Sequence, residues 1–188
     1  MIKFLSGLFL LQIIVCSNAF AGEIRQVTVE YDKGVYTINF DATVTAPREK
    51  VFDLLTDYDQ LHRISDSILE SAALDTDGDS NGKSRILLNS CILFFCRKAV
   101  LVEHISTIQG DEITATVDPL TSDFKSGESH WKFLSLDNQH TRIELHKELE
   151  PGFWYPPVIG PWLVKKKMIQ ELTIMLERLE QLANENSR

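Results

Sequence analysis

Cysteine is scarce in this chain, which has three among 188 residues, and no Cys or His residues occur at the spacing of zinc ligands. The chain also lacks a phosphate-binding glycine loop and a Ser-His-Asp pattern. Positive charge is in deficit, since 19 Lys and Arg stand against 27 Asp and Glu, for a net charge of −8. Phosphate binding needs a basic face, so this balance argues against a general nucleic-acid role. We therefore expect no metal, no cofactor and no nucleic-acid partner.

Long apolar runs are also missing, apart from one at the N-terminus. Lys3 precedes a mostly apolar stretch from Phe4 to Cys16, which at about 13 residues is too short to span a bilayer comfortably. Ala19-Phe20-Ala21 then supplies the small-x-small pattern of a signal-peptide cleavage site. The sequence predicts a signal peptide over residues 1–21 and a single domain over residues 22–188, periplasmic or secreted. An uncleaved N-terminal anchor is the alternative.

Cleavage after Ala21 changes two counts that bear on function. Loss of Lys3 leaves 18 positive and 27 negative residues, so the mature net charge becomes 18 − 27 = −9. The cysteines fall to two, Cys91 and Cys96. An even number of cysteines in an oxidising compartment favours a disulfide between them.

Alternating apolar residues predict that the mature chain begins with a β-hairpin. Val27 to Tyr31 alternates with the period of a strand, Asp32-Lys33-Gly34 is a turn signal, and Val35 to Val44 resumes the alternation. Pro47 then suits the first position of a short helix. A second short helix is expected around Tyr58 to Ile64.

Six further strands, with no helix among them, are predicted before Gly160. Turn-rich gaps separate them, and such short connections favour antiparallel neighbours. The predicted strands are Ile68–Leu74, Ser84–Ile92, Phe95–Ile105, Glu112–Val117, Lys125–Leu134 and Thr141–Leu149.

One long amphipathic helix closes the chain, with Pro161 predicted as its first residue. Its apolar residues recur at spacings of three and four, and about 24 residues give a helix roughly 36 Å long. The helix must bury its apolar stripe, and the only surface available is the preceding sheet. A curved sheet that grips one helix can leave a cavity between them, so the architecture points to an apolar ligand.

Four motifs carry a family resemblance. They are the helix entry Ala46-Pro47-x-x-x-Val51-Phe52-x-Leu54-Leu55-x-Asp57-Tyr58, the strand motif Gly127-x-x-x-Trp131-x-Phe133, the strand motif Thr141-x-Ile143-x-Leu145, and the turn from Pro156-Pro157 to Leu163. In this order they resemble the START-like (SRPBCC) superfamily, most closely its polyketide cyclase/dehydrase and coenzyme-Q-binding branch. The resemblance implies an α+β helix-grip fold. In that fold a curved antiparallel sheet of about six to eight strands wraps around the C-terminal helix, and two short helices follow the first strands.

Members of this superfamily bind hydrophobic ligands such as lipids, sterols, quinones or polyketides, and only some are enzymes. The resemblance therefore indicates the class of ligand but does not identify a reaction. Our first hypothesis is an exported carrier of a hydrophobic small molecule held between sheet and helix. The alternatives are a cyclase- or dehydrase-like enzyme and a protein-interaction module of the cell envelope. Strand parity and the helix stripe predict the cavity lining as Phe40, Trp131, Phe133, Met168, Leu172 and Met175.

The segment from Cys91 to Cys96 predicts a disulfide-closed hairpin. In a straight strand five steps would separate the two cysteines by about 17 Å, whereas a disulfide needs Cα atoms within about 7 Å. A bridge therefore requires a tight turn with Leu93 and Phe94 at its tip. Large apolar residues are unusual in a plain turn, so Leu93, Phe94 and Phe95 are candidates for an apolar lip of the cavity. The alternative is a buried strand with two free thiols.

A second aromatic cluster lies before and within the start of the last helix. Its members are Phe153, Trp154, Tyr155 and Trp162, and the sequence Lys165-Lys166-Lys167 follows. Aromatic rings beside lysines suit a membrane interface, where ammonium groups lie near lipid phosphates. We therefore expect a transient contact with a membrane surface at the mouth of the cavity. The alternative is that the rings close the end of the core and the lysines are solvated. The oligomeric state is left open.

No catalytic residue is assigned from the sequence. His130 and Glu144 alternate with apolar residues in a way that places them on the outer face of the sheet, where they cannot act on a buried substrate. The same parity argument places the polar set as a whole on the outer face. His104 shares parity with Val100 and Val102 and is the one histidine expected to face inward.

Overall fold

The protein was analysed as a computed structural model, which describes residues 22–76, 81–92, 95–108, 110–154 and 160–185. The predicted signal peptide, Leu93, Phe94 and Tyr155 lie outside these residues. The strands are β1 Glu23–Asp32, β2 Val35–Val44, β3 Ile68–Thr76, β4 Asn81–Ile92, β5 Phe95–Ile108, β6 Glu112–Val117, β7 Phe124–Ser135 and β8 Thr141–Pro151. The helices are α1 Arg48–Thr56, a short 3₁₀ helix Leu61–Arg63, and α2 Gly160–Glu185.

All eight strands form one antiparallel sheet in the order β1-β2-β8-β7-β6-β5-β4-β3. Each strand from β3 to β8 pairs with its neighbour in sequence, and the N-terminal hairpin joins the sheet through β2 and β8. Most inward residues of this sheet share a main core with the C-terminal half of α2, and Val29, Tyr36 and Ile38 form a second, smaller cluster with its N-terminal half. This arrangement confirms the predicted α+β helix-grip fold, with the long helix held against the sheet.

The first helix begins one residue later than predicted. Pro47 is its N-cap, with an extended backbone (φ −60°, ψ 142°), and Arg48 is the first helical residue. The second short helix is reduced to a 3₁₀ helix of three residues, Leu61–Arg63. Leu61 and Ile64 are both buried and lie three positions apart, which suits the three residues per turn of a 3₁₀ helix.

Helix α2 is tied to both edges of the sheet. On the β1–β2 side, Glu180 accepts hydrogen bonds from the backbone N–H of Gly22 (2.6 Å) and Thr45 (3.1 Å). On the other side, the Ser65 hydroxyl, in the segment before β3, donates to Glu171 at 2.5 Å. Because the anchors lie on opposite edges, the helix is fixed across the concave face.

The core is densest where α1 meets the sheet and the C-terminal half of α2. Leu176 and Leu179 of α2 are buried there, and the ring of Phe133 meets that of Phe52 of α1 edge-on, with centroids 5.6 Å apart. Toward the other end of α2 the helix and the sheet separate and leave a cavity.

Candidate ligand-binding cavity

A cavity of about 390 Å³ lies between the concave face of the sheet and α2. Its volume falls within the range of about 300–1,000 Å³ that is typical of small-molecule sites. The lining is predominantly apolar and comes from the sheet, from the segment between α1 and β3, and from one side of α2. The apolar lining includes Tyr36, Ile38, Leu61, Ile86, Leu101, Ile105, Ile113, Trp131, Leu145, Leu149, Met168, Leu172 and Met175.

The structure places four of the six residues that were predicted to line the cavity in its wall. Trp131, Met168, Leu172 and Met175 lie in its wall. Phe40 and Phe133 do not, and are packed core residues, each 2% exposed. The expectation for these two was wrong because strand parity identifies the face of the sheet but not the position along it. Where Phe133 lies, α1 and the C-terminal half of α2 fill the concave face.

The cavity wall contains an ion pair that the sequence analysis did not predict. Lys147 Nζ donates to Glu103 Oε1 at 3.0 Å, and the two side chains are only 18% and 8% exposed. Lys147 is on β8 and Glu103 on β5, which β7 and β6 separate in the sheet, so the pair crosses the concave face. The expectation that all polar groups face outward is therefore wrong. Lys147 shares the inward parity of Leu145 and Leu149, a signal that was present in the sequence.

Two hydroxyl groups lie in the same part of the cavity. Ser84 is fully buried and is the direct cross-strand neighbour of Glu103, while Tyr58 follows α1. Both residues line the cavity, and neither hydroxyl has a hydrogen-bond partner among the described residues. Burial, and then the negative charge of Glu103, raise the pKa of Tyr58 well above its ordinary value, so the phenol keeps its proton. We call Tyr58, Ser84, Glu103 and Lys147 the polar floor.

His104 faces outward, which corrects the expectation that it would enter the cavity. Its side chain is 62% exposed, and its Nε2 lies 3.8 Å from Asp118. The inward residues of β5 are Leu101, Glu103 and Ile105. The misleading signal was Val102, which is buried although it faces outward. The segment after β6 continues the pairing with β5 beside it, since the Asp118 N–H donates to the Val102 carbonyl at 2.9 Å.

The predicted aromatic cluster lies at one end of the cavity. Phe153 lines the cavity, meets the ring of Phe124 edge-on at 5.5 Å, and has the Arg97 guanidinium 4.5 Å above its centroid. Trp154 and Trp162 are instead 67% and 65% exposed. The predicted cluster therefore has one ring in the cavity wall and two at the surface. Phe95 was predicted to be part of the apolar lip of the cavity. Its side chain is not among those that the structure describes.

The predicted hairpin closed by a disulfide is confirmed. Cys91 and Cys96 are directly paired across β4 and β5, their Cα atoms are 4.0 Å apart, and a disulfide joins them. The disulfide and the end of β8 lie at the same end of the sheet, because β5 and β7 both start there and Phe124, at the start of β7, pairs with Pro151 at the end of β8.

Within the described residues, no helix combines the length and the apolarity that a membrane span requires. The same part of the chain has no group of three or more His, Cys, Asp and Glu side chains placed to hold a metal ion.

Comparison with known proteins identifies the family. Residues 26–184 match the family model described as polyketide cyclase / dehydrase and lipid transport. The chain belongs to this family. It is thus a member of the START-like (SRPBCC) superfamily, as its motifs suggested. No functionally curated protein matches its sequence.

Solved structures share the fold at low sequence identity. An aromatase/cyclase named Zhui from a Streptomyces species is 13% identical, with 82% of this chain and 96% of that chain covered and a TM-score of 0.67. A START superfamily protein from Mycobacterium smegmatis is 18% identical, with 78% and 98% covered and a TM-score of 0.62. A STAR-related lipid transfer protein from Xanthomonas axonopodis is 13% identical, with 84% and 98% covered and a TM-score of 0.60. At these identities the likeness concerns the fold.

Proposed function

We propose that the protein is an exported carrier that binds a hydrophobic small molecule, such as a lipid or a quinone, and catalyses no reaction. The observation that carries this proposal is the largely apolar cavity of about 390 Å³ between α2 and the sheet. The family includes lipid transport in its description, and two of the similar structures are a START superfamily protein and a lipid transfer protein. Export rests on the signal-peptide pattern of residues 1–21.

The experiment is native mass spectrometry of the protein purified after export, followed by organic extraction and identification of any bound molecule. We expect a stoichiometric apolar ligand, which is lost in Leu172→Gln because a polar group enters the cavity wall. Ile169→Gln is the matched control, since Ile169 lies on the same helix but is 36% exposed and does not line the cavity. A mass without ligand, and no gain after incubation with lipid extract, would contradict the carrier and favour the protein-interaction module.

A carrier must take up and release its ligand, and we propose that the cavity end of the molecule does so at a membrane surface. Trp154 and Trp162 are exposed there, and the Lys166 ammonium lies 5.8 Å from the Trp162 ring centroid. Lys165 belongs to the same turn of α2, whereas Lys167 pairs with Glu171 at 2.5 Å and lines the cavity. Indole rings partition to the headgroup region and lysines are attracted to anionic lipid.

Sedimentation with vesicles of mixed neutral and anionic phospholipid tests this contact. We expect Trp154→Ala/Trp162→Ala to reduce the bound fraction, and higher salt to reduce the binding of the unsubstituted protein because salt screens charge. Leu136→Ala is the control, since Leu136 is 52% exposed but follows β7 at the opposite end of the sheet. Equal loss in both variants, or no binding to any vesicle, would contradict a specific membrane contact.

An enzyme on the same scaffold is the second candidate, and the polar floor is the observation that favours it. Glu103, Lys147 and Tyr58 place a carboxylate, an ammonium and a phenol in the cavity wall. The two functions differ in the state of the extracted molecule. A carrier returns its ligand unchanged after prolonged incubation, whereas a cyclase or dehydrase returns a product of altered mass or ring count.

A further inference from the structure

We propose that the polar floor selects ligands that carry one neutral hydrogen-bonding group, a hydroxyl or a carbonyl, on an otherwise apolar body. This inference rests on the proposed binding function and names the class of ligand that the cavity takes.

The first argument is the unsatisfied hydroxyl of Ser84. The residue is fully buried in the cavity wall, and its Oγ finds no partner among the described residues. A buried hydroxyl without a partner is costly, and native proteins rarely keep one without a reason. A polar ligand atom placed against Ser84 removes this cost. An apolar group at the same place does not.

The second argument is the phenol of Tyr58, whose oxygen is also buried and lacks a partner among the residues described. Because burial and the charge of Glu103 raise its pKa, Tyr58 remains a hydrogen-bond donor at all physiological pH values. The Ser84 hydroxyl both donates and accepts. The two groups together suit a ligand oxygen that accepts one hydrogen bond and has at most one proton to give.

The third argument concerns charge. Glu103 and Lys147 already neutralise each other at 3.0 Å. A carboxylate or phosphate on the ligand would enter beside the Glu103 carboxylate, and an ammonium would enter beside Lys147. At the polar floor either ion would lose its hydration without gaining an unpaired counter-charge, which is unfavourable in a cavity of low polarity. The remaining charged residues of the lining are Arg97, which is six residues from Glu103 along β5, and Lys167 and Glu171, which pair with each other. A hydroxyl or carbonyl avoids this cost.

Calorimetric titration with decanol, decanoate and decylamine at neutral pH tests the inference, because the three probes share one chain and differ in the head group. We expect decanol to bind at least about tenfold more tightly than either ion, which corresponds to about one good hydrogen bond together with the avoided charge burial.

Ser84→Ala and Tyr58→Phe should each weaken decanol binding by about five- to tenfold. Neither should lower stability, since each removes an unsatisfied group. Ser106→Ala, on the outer-facing side of β5, is the control and should leave binding unchanged.

The outcomes separate this inference from the carrier function. Equal affinity for the three probes, or decanol binding that is unchanged in Ser84→Ala and Tyr58→Phe, overturns the polar floor as a selector and leaves the carrier intact. If no probe binds and the exported protein also carries no ligand, both proposals fail.

A second inference rests on an independent contact, at the first described residue. The Gly22 N–H donates to Glu180 Oε2 at 2.6 Å, and Thr45 N–H donates to the other oxygen. Gly22 is closely packed, since a Cβ atom there would lie 3.1 Å from the Thr43 carbonyl oxygen and 3.2 Å from Leu176 Cγ. Its nitrogen is therefore held against a carboxylate of α2.

We infer that cleavage after Ala21 converts this hydrogen bond, in which a neutral amide donates to the Glu180 carboxylate, into an ion pair. The cut would make the Gly22 nitrogen an ammonium group, which adds the attraction between opposite charges to a hydrogen bond whose acceptor is already ionised. The uncleaved precursor can make only the amide contact. Processing would thus tighten the attachment of α2 to the N-terminal hairpin.

The test compares the unfolding equilibrium of protein beginning at Gly22 with that of protein beginning at Ala21, both with the disulfide oxidised. We expect the Gly22 form to have an unfolding constant up to about fivefold smaller, and the difference to vanish in the Glu180→Gln background. A difference of the same size in Glu180→Gln, or none in the unsubstituted protein, overturns the inference. So does an exported protein whose intact mass places its first residue elsewhere.

Discussion

Loss of either Glu103 or Lys147 alone should destabilise the protein, whereas replacement of both by apolar residues should change its stability little. At an effective dielectric constant of about 20, unit charges 3.0 Å apart attract by about 5 kcal/mol. The cost of removing both ions from water offsets most of this attraction. Substitution of one partner leaves that cost uncompensated, because the remaining side chain is largely enclosed.

We therefore expect Lys147→Met to reduce the free energy of unfolding by about 3 kcal/mol, since it leaves Glu103 buried and unpaired. Glu103→Leu should cost somewhat less, because Lys147 is more exposed, at 18% against 8%. The double variant should lie within about 1 kcal/mol of the unsubstituted protein, since apolar groups then fill the same space.

Urea denaturation of the four proteins at neutral pH, with a common m-value, measures these differences. The matched control is the surface pair Lys125–Glu150, whose nitrogen and oxygen lie 2.8 Å apart with Lys125 62% exposed; its coupling energy should stay below about 1 kcal/mol. If the effects of Lys147→Met and Glu103→Leu simply add, the two groups do not depend on each other and the reasoning is refuted.

Two further predictions concern stability. Gly127→Ala should destabilise the protein by about 2 kcal/mol in urea denaturation. The added Cβ would lie 2.8 Å from side-chain atoms of Leu149 and Val117 and 2.9 Å from a backbone oxygen. An unchanged denaturation midpoint would show that the sheet relaxes there. A hydrogen bond from Lys83 is the main cause that lowers the pKa of Asp118 from 3.8 to about 2. A carboxyl whose folded pKa is depressed contributes stability that is present above its unfolded pKa and lost as the pH falls through the folded value. Asp118→Asn should therefore make unfolding stability less dependent on pH between these two values, and an unaltered pH profile would contradict the assignment.

The regular elements were predictable because their patterns are local. The limits of β6 agree with the predicted Glu112–Val117, and β2 with Val35–Val44, since alternation and turn residues mark both ends. The disulfide was predicted from the even number of cysteines in the mature chain, and the tight hairpin followed because a bridge between residues five positions apart requires the strand to turn back. The last helix begins at Gly160 instead of Pro161, a difference of the size that helix ends commonly show.

The polar floor was not predictable to the same degree, because its parts come from distant segments. Glu103 and Lys147 are 44 residues apart and on strands that are not neighbours, so no spacing in the sequence indicates their pairing. Strand β5 also lacks clear alternation, since the outward-facing Val102 is buried as well as the inward-facing Leu101 and Glu103. A strand with buried residues on both faces loses the period-two signal from which the direction of a side chain is read.

The strand order has a consequence for how the chain assembles. The N-terminal hairpin reaches the rest of the sheet only through β8, where Arg142 Nε donates to Asp41 across 101 residues. Until that strand has been synthesised, the edge of β2 is an open template for pairing with other chains. The many distant contacts also favour slow folding. A chain that stops before Thr141 would leave β2 and β7 each without one of their two neighbours, so the domain should form as one cooperative unit and have no stable N-terminal fragment.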